Sequence, residues 1–274
     1  MIPAAFDYKR AGSAEEALSL LAEHGDDAKL LAGGHSLIPL MKYRLASPAV
    51  IIDIGKVNDL SYVNDGGDHL AIGALTRHRD IEINADIASQ MPLLGAATRN
   101  VGDPQVRHRG TIGGAVAHGD PASDIPAAML ALRATMVIAG PDGEREVAAD
   151  DFFSGFLETD LGETEMLKEI KIAKVPDATF SFQKFNRRAQ DWAIVGAAIL
   201  VNNGSSGVGL VNMDSKPIRA AAVEAALNSG ANAADAAATA AEGVEPPADL
   251  NASVEYRQHL ARVLTRRGLE EAGR

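Results

Sequence analysis

The sequence predicts an α+β protein in two domains, residues 1–176 and 177–274, and three observations predict it. Short apolar runs of strand length are mixed with capped amphipathic segments through the first half. The stretch Gly140-Pro141-Asp142-Gly143 separates the runs 135–139 and 145–148, and its residues favour a tight chain reversal, which marks an antiparallel hairpin. From about residue 178, three β-rich runs (179–187, 192–201 and 207–213) precede Ala-rich helical segments, the order of an antiparallel sheet backed by helices. The change of pattern falls near Pro176.

Residues 13–25 predict a helix. Ser13 and Glu16 make a capping box, Leu18, Leu21 and Ala22 an apolar stripe, and Gly25 a stop. The apolar run 29–32 then meets Gly33-Gly34-His35-Ser36, and 37–45 reads as a helix with Pro39 in its first turn: strand, tight loop, helix. Runs 50–54 and 69–74 read as buried strands, with Gly66-Gly67 between them. Residues 87–101 read as partly helical. The passage 102–121 is so rich in Gly and Pro that it reads as a long loop, and loops of that length usually carry function. Ser123 or Asp124 caps a helix over 125–133, in which Ile125, Met129 and Leu132 keep helical spacing. In the second domain, Ile218, Ala222, Ala225 and Ala226 share one face, so the Ala-rich stretch 220–242 reads as packed helix.

Apolar residues are 46% of the chain and charged residues 23%, enough to bury a full core. A formal net charge of -11 repels the phosphate backbone, which disfavours nucleic acid and anionic membrane surfaces as partners. There is no run of eighteen apolar residues, and the opening Met1-Ile2-Pro3-Ala4-Ala5-Phe6-Asp7 lacks the basic-then-apolar order of a signal peptide, so a cytoplasmic protein is expected. With no cysteine, the chain has no disulfide, no thiolate nucleophile and no cysteine ligand for zinc or iron–sulfur clusters. Redox chemistry then requires a bound organic cofactor.

Two loops are suited to phosphate. Ala32-Gly33-Gly34-His35-Ser36 lies where a strand ends and a helix begins, so its N–H groups can converge on an anion; a plain turn is the competing reading. Thr111-Ile112-Gly113-Gly114 repeats the device about eighty residues on, with Asp120, Ser123 and Asp124 close behind. An acid there can accept from ribose hydroxyls, or can merely cap the following helix. The spacing from Gly33-Gly34 to Asp53 imitates a nicotinamide-binding unit, but the third glycine is missing and the pattern after Asp53 is hairpin-like.

With these motifs in this order, followed by Leu37-Ile38-Pro39 after the first and continuing as Asp120-Pro121-Ala122-Ser123-Asp124 after the second, the chain resembles the FAD-binding medium subunit of molybdenum hydroxylases, of the aerobic carbon monoxide dehydrogenase type. The resemblance runs from Ile2-Pro3-Ala4-Ala5-Phe6-Asp7-Tyr8 into the C-terminal region. It implies a two-lobed FAD-binding domain of the vanillyl-alcohol-oxidase/PCMH type, then a C-terminal domain like that of carbon monoxide dehydrogenase flavoproteins. It also implies FAD-binding residues: Ala32, Gly33, Gly34, His35 and Ser36, with Thr111, Ile112, Gly113, Gly114 and Ala115, at the diphosphate; Asp124 on the adenosine side; and Leu161 and Lys184 near the flavin. A cation near the ring system favours its reduced anionic form, although Lys184 also reads as a solvated strand lysine. Ala115 departs from the polar residue that many relatives carry, which removes a side-chain hydrogen bond.

The expected function is electron transfer by bound FAD, from the clusters of a 2Fe–2S small subunit to an external acceptor, within a complex whose molybdenum-cofactor large subunit oxidises substrate. A dimer of heterotrimers is implied. A stand-alone flavin oxidoreductase and an assembly subunit with a decayed flavin site are the alternatives. No residue of the chain is assigned a catalytic role. The seven histidines show no metal-ligand spacing, so no metal site is assigned. Covalent flavin attachment at His35 has only the shared fold in its favour. Trp192 reads as either core or a flavin contact, and Arg107 and Arg109 as phosphate neutralisers or surface contacts.

Overall fold

A computed structural model describes residues 2–202 and 204–274. The chain begins with β1 (Asp7–Arg10), α1 (Ala14–His24), β2 (Ala28–Leu31), α2 (Leu37–Tyr43) and β3 (Val50–Asp53). Both β1 and β2 pair in parallel with β3, giving a three-stranded sheet in the order β1-β3-β2. Ser13 caps α1 by accepting from Glu16 N. The reciprocal bond runs to Glu16 Oε2 from Gly12 N, one residue earlier than a capping box places it.

The second lobe is a five-stranded antiparallel sheet, β4 (Val63–Asp65), β5 (His69–Gly73), β10 (Met166–Ala173), β6 (Thr135–Gly140) and β7 (Gly143–Ala148), in that order. The hairpin at 140–143 joins β6 to β7 as its turn residues require. The central strand β10 lies outside every predicted run, because its apolar residues alternate with Lys168, Glu169 and Lys171 and no turn signal frames it. Between β5 and β6 run α3 (His78–Ile83), α4 (Ala85–Gln90), α5 (Pro92–Arg99), α6 (Pro104–Arg107), α7 (Ile112–His118) and α8 (Asp124–Ala131). The expected long loop over 102–121 is therefore two short helices. Asp103 and Thr111 accept from Val106 N and Gly114 N, and these caps nucleate turns where composition suggested irregular chain. After β7 come α9 (Ala149–Phe152) and the ribbon of β8 (Phe153–Gly155) and β9 (Glu158–Thr159).

The remaining residues form a four-stranded antiparallel sheet, β11 (Thr179–Phe185), β12 (Val195–Asn202), β13 (Ser205–Val211) and β14 (Ile218–Arg219). It is covered by α10 (Ala221–Asn228), α11 (Ala233–Ala238) and the long α12 (Val254–Glu271). The Ala-rich stretch is thus two short helices rather than one, Ile218 of the expected face lies on β14, and α10 buries Val223, Glu224 and Leu227 while Ala225 is exposed. The other face of this sheet receives α8. An added Cβ at Gly207 or Gly209 of β13 would overlap the carbonyl of Ala131 or Ala127, so the missing side chains seat the helix directly on the strand. Every residue of α8 is buried, because the helix is packed between this sheet on one side and α5, α7 and α9 on the other. Among the described residues, no helix is long and apolar enough to cross a membrane.

Candidate functional site

The end of β2, the loop after it, the start of α7, the 157–167 segment and the β11–β12 connection enclose a cavity of about 680 Å³, within the range of small-molecule sites. Ala32, Gly33, Gly34, His35, Ser36, Thr111, Gly113, Gly114, Ala115, Asp124, Leu161 and Lys184 all line it. Ile112 does not: its side chain is fully buried in the main core and anchors α7 from behind.

The two glycine loops differ in what they offer. Among the described residues, the N–H groups of Gly33, Gly34, His35 and Ser36 have no protein acceptor. Several backbone donors facing a cavity without partners form a site for an anion. The loop is held in place by backbone against backbone, since an added Cβ at Gly33 would overlap the carbonyl oxygen of Arg109 and approach Gly110 Cα to 2.9 Å. The corresponding donors of the second loop are already engaged. Ile112 N donates to Thr76 O at 3.0 Å, Gly113 N to Ala74 O at 2.9 Å, Gly114 N to Thr111 Oγ1 and Ala115 N to Thr111 O, both at 3.1 Å. Gly113 is glycine because a Cβ would lie 2.5 Å from that of Ala74, so its role is close packing of α7 on the chain after β5. The N–H cradle expected at both loops is present at the first alone; the second contributes its glycine surface and the small Ala115.

Asp124 and Lys184 meet at the far wall. Lys184 Nζ donates to Asp124 Oδ2 at 2.7 Å and to Asn100 O at 2.8 Å, and the two side chains are 5% and 6% exposed. Neither alternative reading holds, because Asp124 does not cap α8 and Lys184 is not solvated. Their contact sets Asp124 and Lys184 side by side on the cavity wall. Burial pushes the Asp124 carboxyl up to about 6, against the pull of Lys184. The second oxygen, Oδ1, is buried without a partner among the described residues. Such an acceptor is costly unless a ligand donor reaches it.

Two notable cavity residues lie outside the sequence motifs, Trp192 and His78. Trp192 is 55% exposed on the wall, in the connection before β12 rather than in the core; its place beside an apolar strand was the available signal. His78, at the start of α3, belongs to no motif and reaches the wall only through packing. The set fits a flavin dinucleotide: free N–H groups for a diphosphate, an unpaired buried acceptor for a ligand hydroxyl or N–H, and apolar walls for ring systems.

Comparison with known proteins agrees. Residues 4–175 match the family described as FAD binding domain in molybdopterin dehydrogenase, and 180–272 match the CO dehydrogenase flavoprotein C-terminal domain. The carbon monoxide dehydrogenase medium chain of Hydrogenophaga pseudoflava is 38% identical, over 99% of this chain and 98% of that one. The glyceraldehyde dehydrogenase medium chain of Sulfolobus acidocaldarius is also 38% identical, over 99% of both. A solved carbon monoxide dehydrogenase from Hydrogenophaga pseudoflava superposes with a TM-score of 0.96 at 39% identity, covering 100% of this chain and 99% of its counterpart.

Proposed function

The chain belongs to the FAD-binding medium subunits of molybdopterin dehydrogenases, and from that premise we propose that its cavity seats FAD with the diphosphate on the N–H groups of residues 33–36 and with Asp124 Oδ1 accepting from the bound molecule. The unpaired donors of the first loop carry this reading. Bound there, FAD supplies an electron carrier that takes part in one-electron and two-electron exchange. The protein's own contribution is position and electrostatics: the first loop fixes an anionic group, Lys184 holds Asp124 in place, and Leu161 and the chain around it exclude water.

The chain is thus the flavin station of a molybdenum hydroxylase complex, between the iron–sulfur clusters of a small subunit and an external acceptor. The clusters require cysteine, which this chain lacks, so they reside in another polypeptide. A molybdenum-cofactor large subunit selects the substrate. Medium chains named for carbon monoxide and for glyceraldehyde are equally identical to this one, so medium-chain likeness does not track the substrate of the complex. We place the complex in the cytoplasm.

The test is purification of the chain with the subunits that accompany it. Flavin absorption, together with molybdenum and iron in the co-purifying chains, is expected. Robust turnover of a donor substrate by the isolated chain would overturn the relay role.

A further inference from the structure

His78 has no part in the reading so far, and its surroundings are unusual. The residue is 3% exposed and forms part of the cavity wall, yet among the described residues its buried Nδ1 has no hydrogen-bond partner. Buried polar atoms are nearly always paired, so an orphan on a ligand cavity calls for a ligand or a proton. The residue is fixed by its backbone N–H, which donates to Gly110 O at 3.0 Å. Its ring edge lies on Gly110, where an added Cβ would stand 2.7 Å from Cδ2 and 3.1 Å from Nε2. The chain at Arg109 and Gly110 is also the surface on which Gly33 rests. His78 and the free N–H groups of residues 33–36 therefore flank one thin layer of backbone.

We propose that His78 is a nucleotide-site residue whose protonation is linked to occupancy, so that a diphosphate settling on residues 33–36 draws a proton from solvent onto the imidazole. The proposal rests on the FAD reading above. Burial and then the positive charges of Arg107, His35 and Arg77 push the imidazole down to about 4, so it is neutral at pH 7. The titratable and charged groups on its own helix and on the elements packed against it are Arg77, Arg79, Asp80 and Glu82, His35 on the first loop, Asp86 on α4, Arg99 on α5, and Arg107, His108 and Arg109 at α6. Glu82 is taken up by Arg79 and Arg107, each at 3.1 Å. Cations dominate this neighbourhood, and a bound dianion reverses the local field. The charged imidazole is then favoured, binding takes up a proton, and affinity rises as pH falls through the occupied-site value.

The experiment uses the full chain with its co-purifying subunits, stripped of flavin. FAD binding is followed by quenching of flavin fluorescence at pH 5.5 and 7.5, with ADP as a probe of the diphosphate half. Relative to His78→Gln, the wild type is expected to gain several-fold in affinity from pH 7.5 to 5.5, within the tenfold per pH unit that one proton allows. His78→Gln should keep the affinity seen at pH 7.5 and lose the slope. His78→Leu should lose the slope and weaken binding about five- to tenfold, the worth of one hydrogen bond. A His78→Gln variant whose pH dependence equals the wild type's, or a His78→Leu variant that binds as the wild type does at both pH values, overturns the proposal and leaves the FAD site standing; the comparison cancels the Asp124 carboxyl, which titrates in the same range in all three. A wild type that binds neither FAD nor ADP overturns the site and the proposal with it. If His78→Leu fails to fold, nitrogen-15 NMR of the wild-type ring decides: ADP should move it toward the imidazolium signature, and unchanged ring shifts overturn the proposal.

Discussion

Lys184 Nζ lies 2.7 Å from Asp124 Oδ2, and that contact ties strand β11 of the C-terminal sheet to the first turn of α8. Both side chains are buried, so each charge depends on the other. Lys184→Met should cost about 3–5 kcal/mol in denaturant unfolding, because it strands a carboxylate away from water. Adding Asp124→Leu should recover much of that loss, whereas FAD affinity should stay low in both variants. Full stability in Lys184→Met alone would show that the pair holds nothing together.

Gly209→Ala tests the seating of α8 on β13. The new methyl group meets the Ala127 carbonyl, and overpacking of this kind costs about 1–3 kcal/mol. Because α8 carries Asp124, the variant should also bind FAD more weakly at temperatures where it is fully folded. Unaltered affinity in the folded variant would separate the helix position from the site.

Gly33→Ala should strike the first loop selectively. Its methyl group overlaps the Arg109 carbonyl, so the N–H groups of residues 33–36 must shift. FAD affinity is expected to fall more than tenfold while the thermal midpoint moves little, since Gly33 itself belongs to neither neighbouring core cluster. Equal affinities in calorimetry would sink the assignment of the diphosphate to this loop.

Thr111→Val removes the side-chain oxygen that caps α7 through Gly114 N. Loss of such a cap costs about 1 kcal/mol. Amide exchange at Gly114 and Ala115 should accelerate, and protection equal to the wild type would refute the cap.

Acid stability follows from His78 and Asp124, which act in opposite directions. The folded-state value of His78 is depressed to about 4, so the unfolded chain takes up a proton first and stability is lost as pH falls from about 6.5 toward 4, by about 3 kcal/mol at most. Asp124 is raised to about 6, so its contribution is present at low pH and is lost as pH rises through that value. His78→Gln should therefore be less sensitive to acid than the wild type in flavin-free unfolding curves, and Asp124→Asn more sensitive. Parallel pH profiles for all three proteins would contradict both assignments.

Much of the fold was legible in local sequence. The cap at Ser13, the stop at Gly25, the reversal at 140–143 and the Ala-rich helices each follow from residues a few positions apart. Strand β10 was not, although it is the centre of the second-lobe sheet, because its partners β5 and β6 lie far away in sequence and its own pattern is ordinary. Nor was the helical character of 102–121, where caps at Asp103 and Thr111 outweigh a composition that favours loop.

The candidate site divides along the same line. By itself the sequence determined that redox chemistry here needs an organic cofactor, since no cysteine is present, and that two glycine pairs separated by about eighty residues belong to one family pattern. Tertiary structure alone decided that the donors of the first loop are free while those of the second are spent on Thr76, Ala74 and Thr111. It also decided that Asp124 pairs with a lysine sixty residues away, and that His78 stands on the cavity wall. The physical reason is that hydrogen-bond satisfaction and burial belong to the folded neighbourhood: a glycine or a histidine looks the same in sequence whether its N–H is engaged or waiting for a ligand.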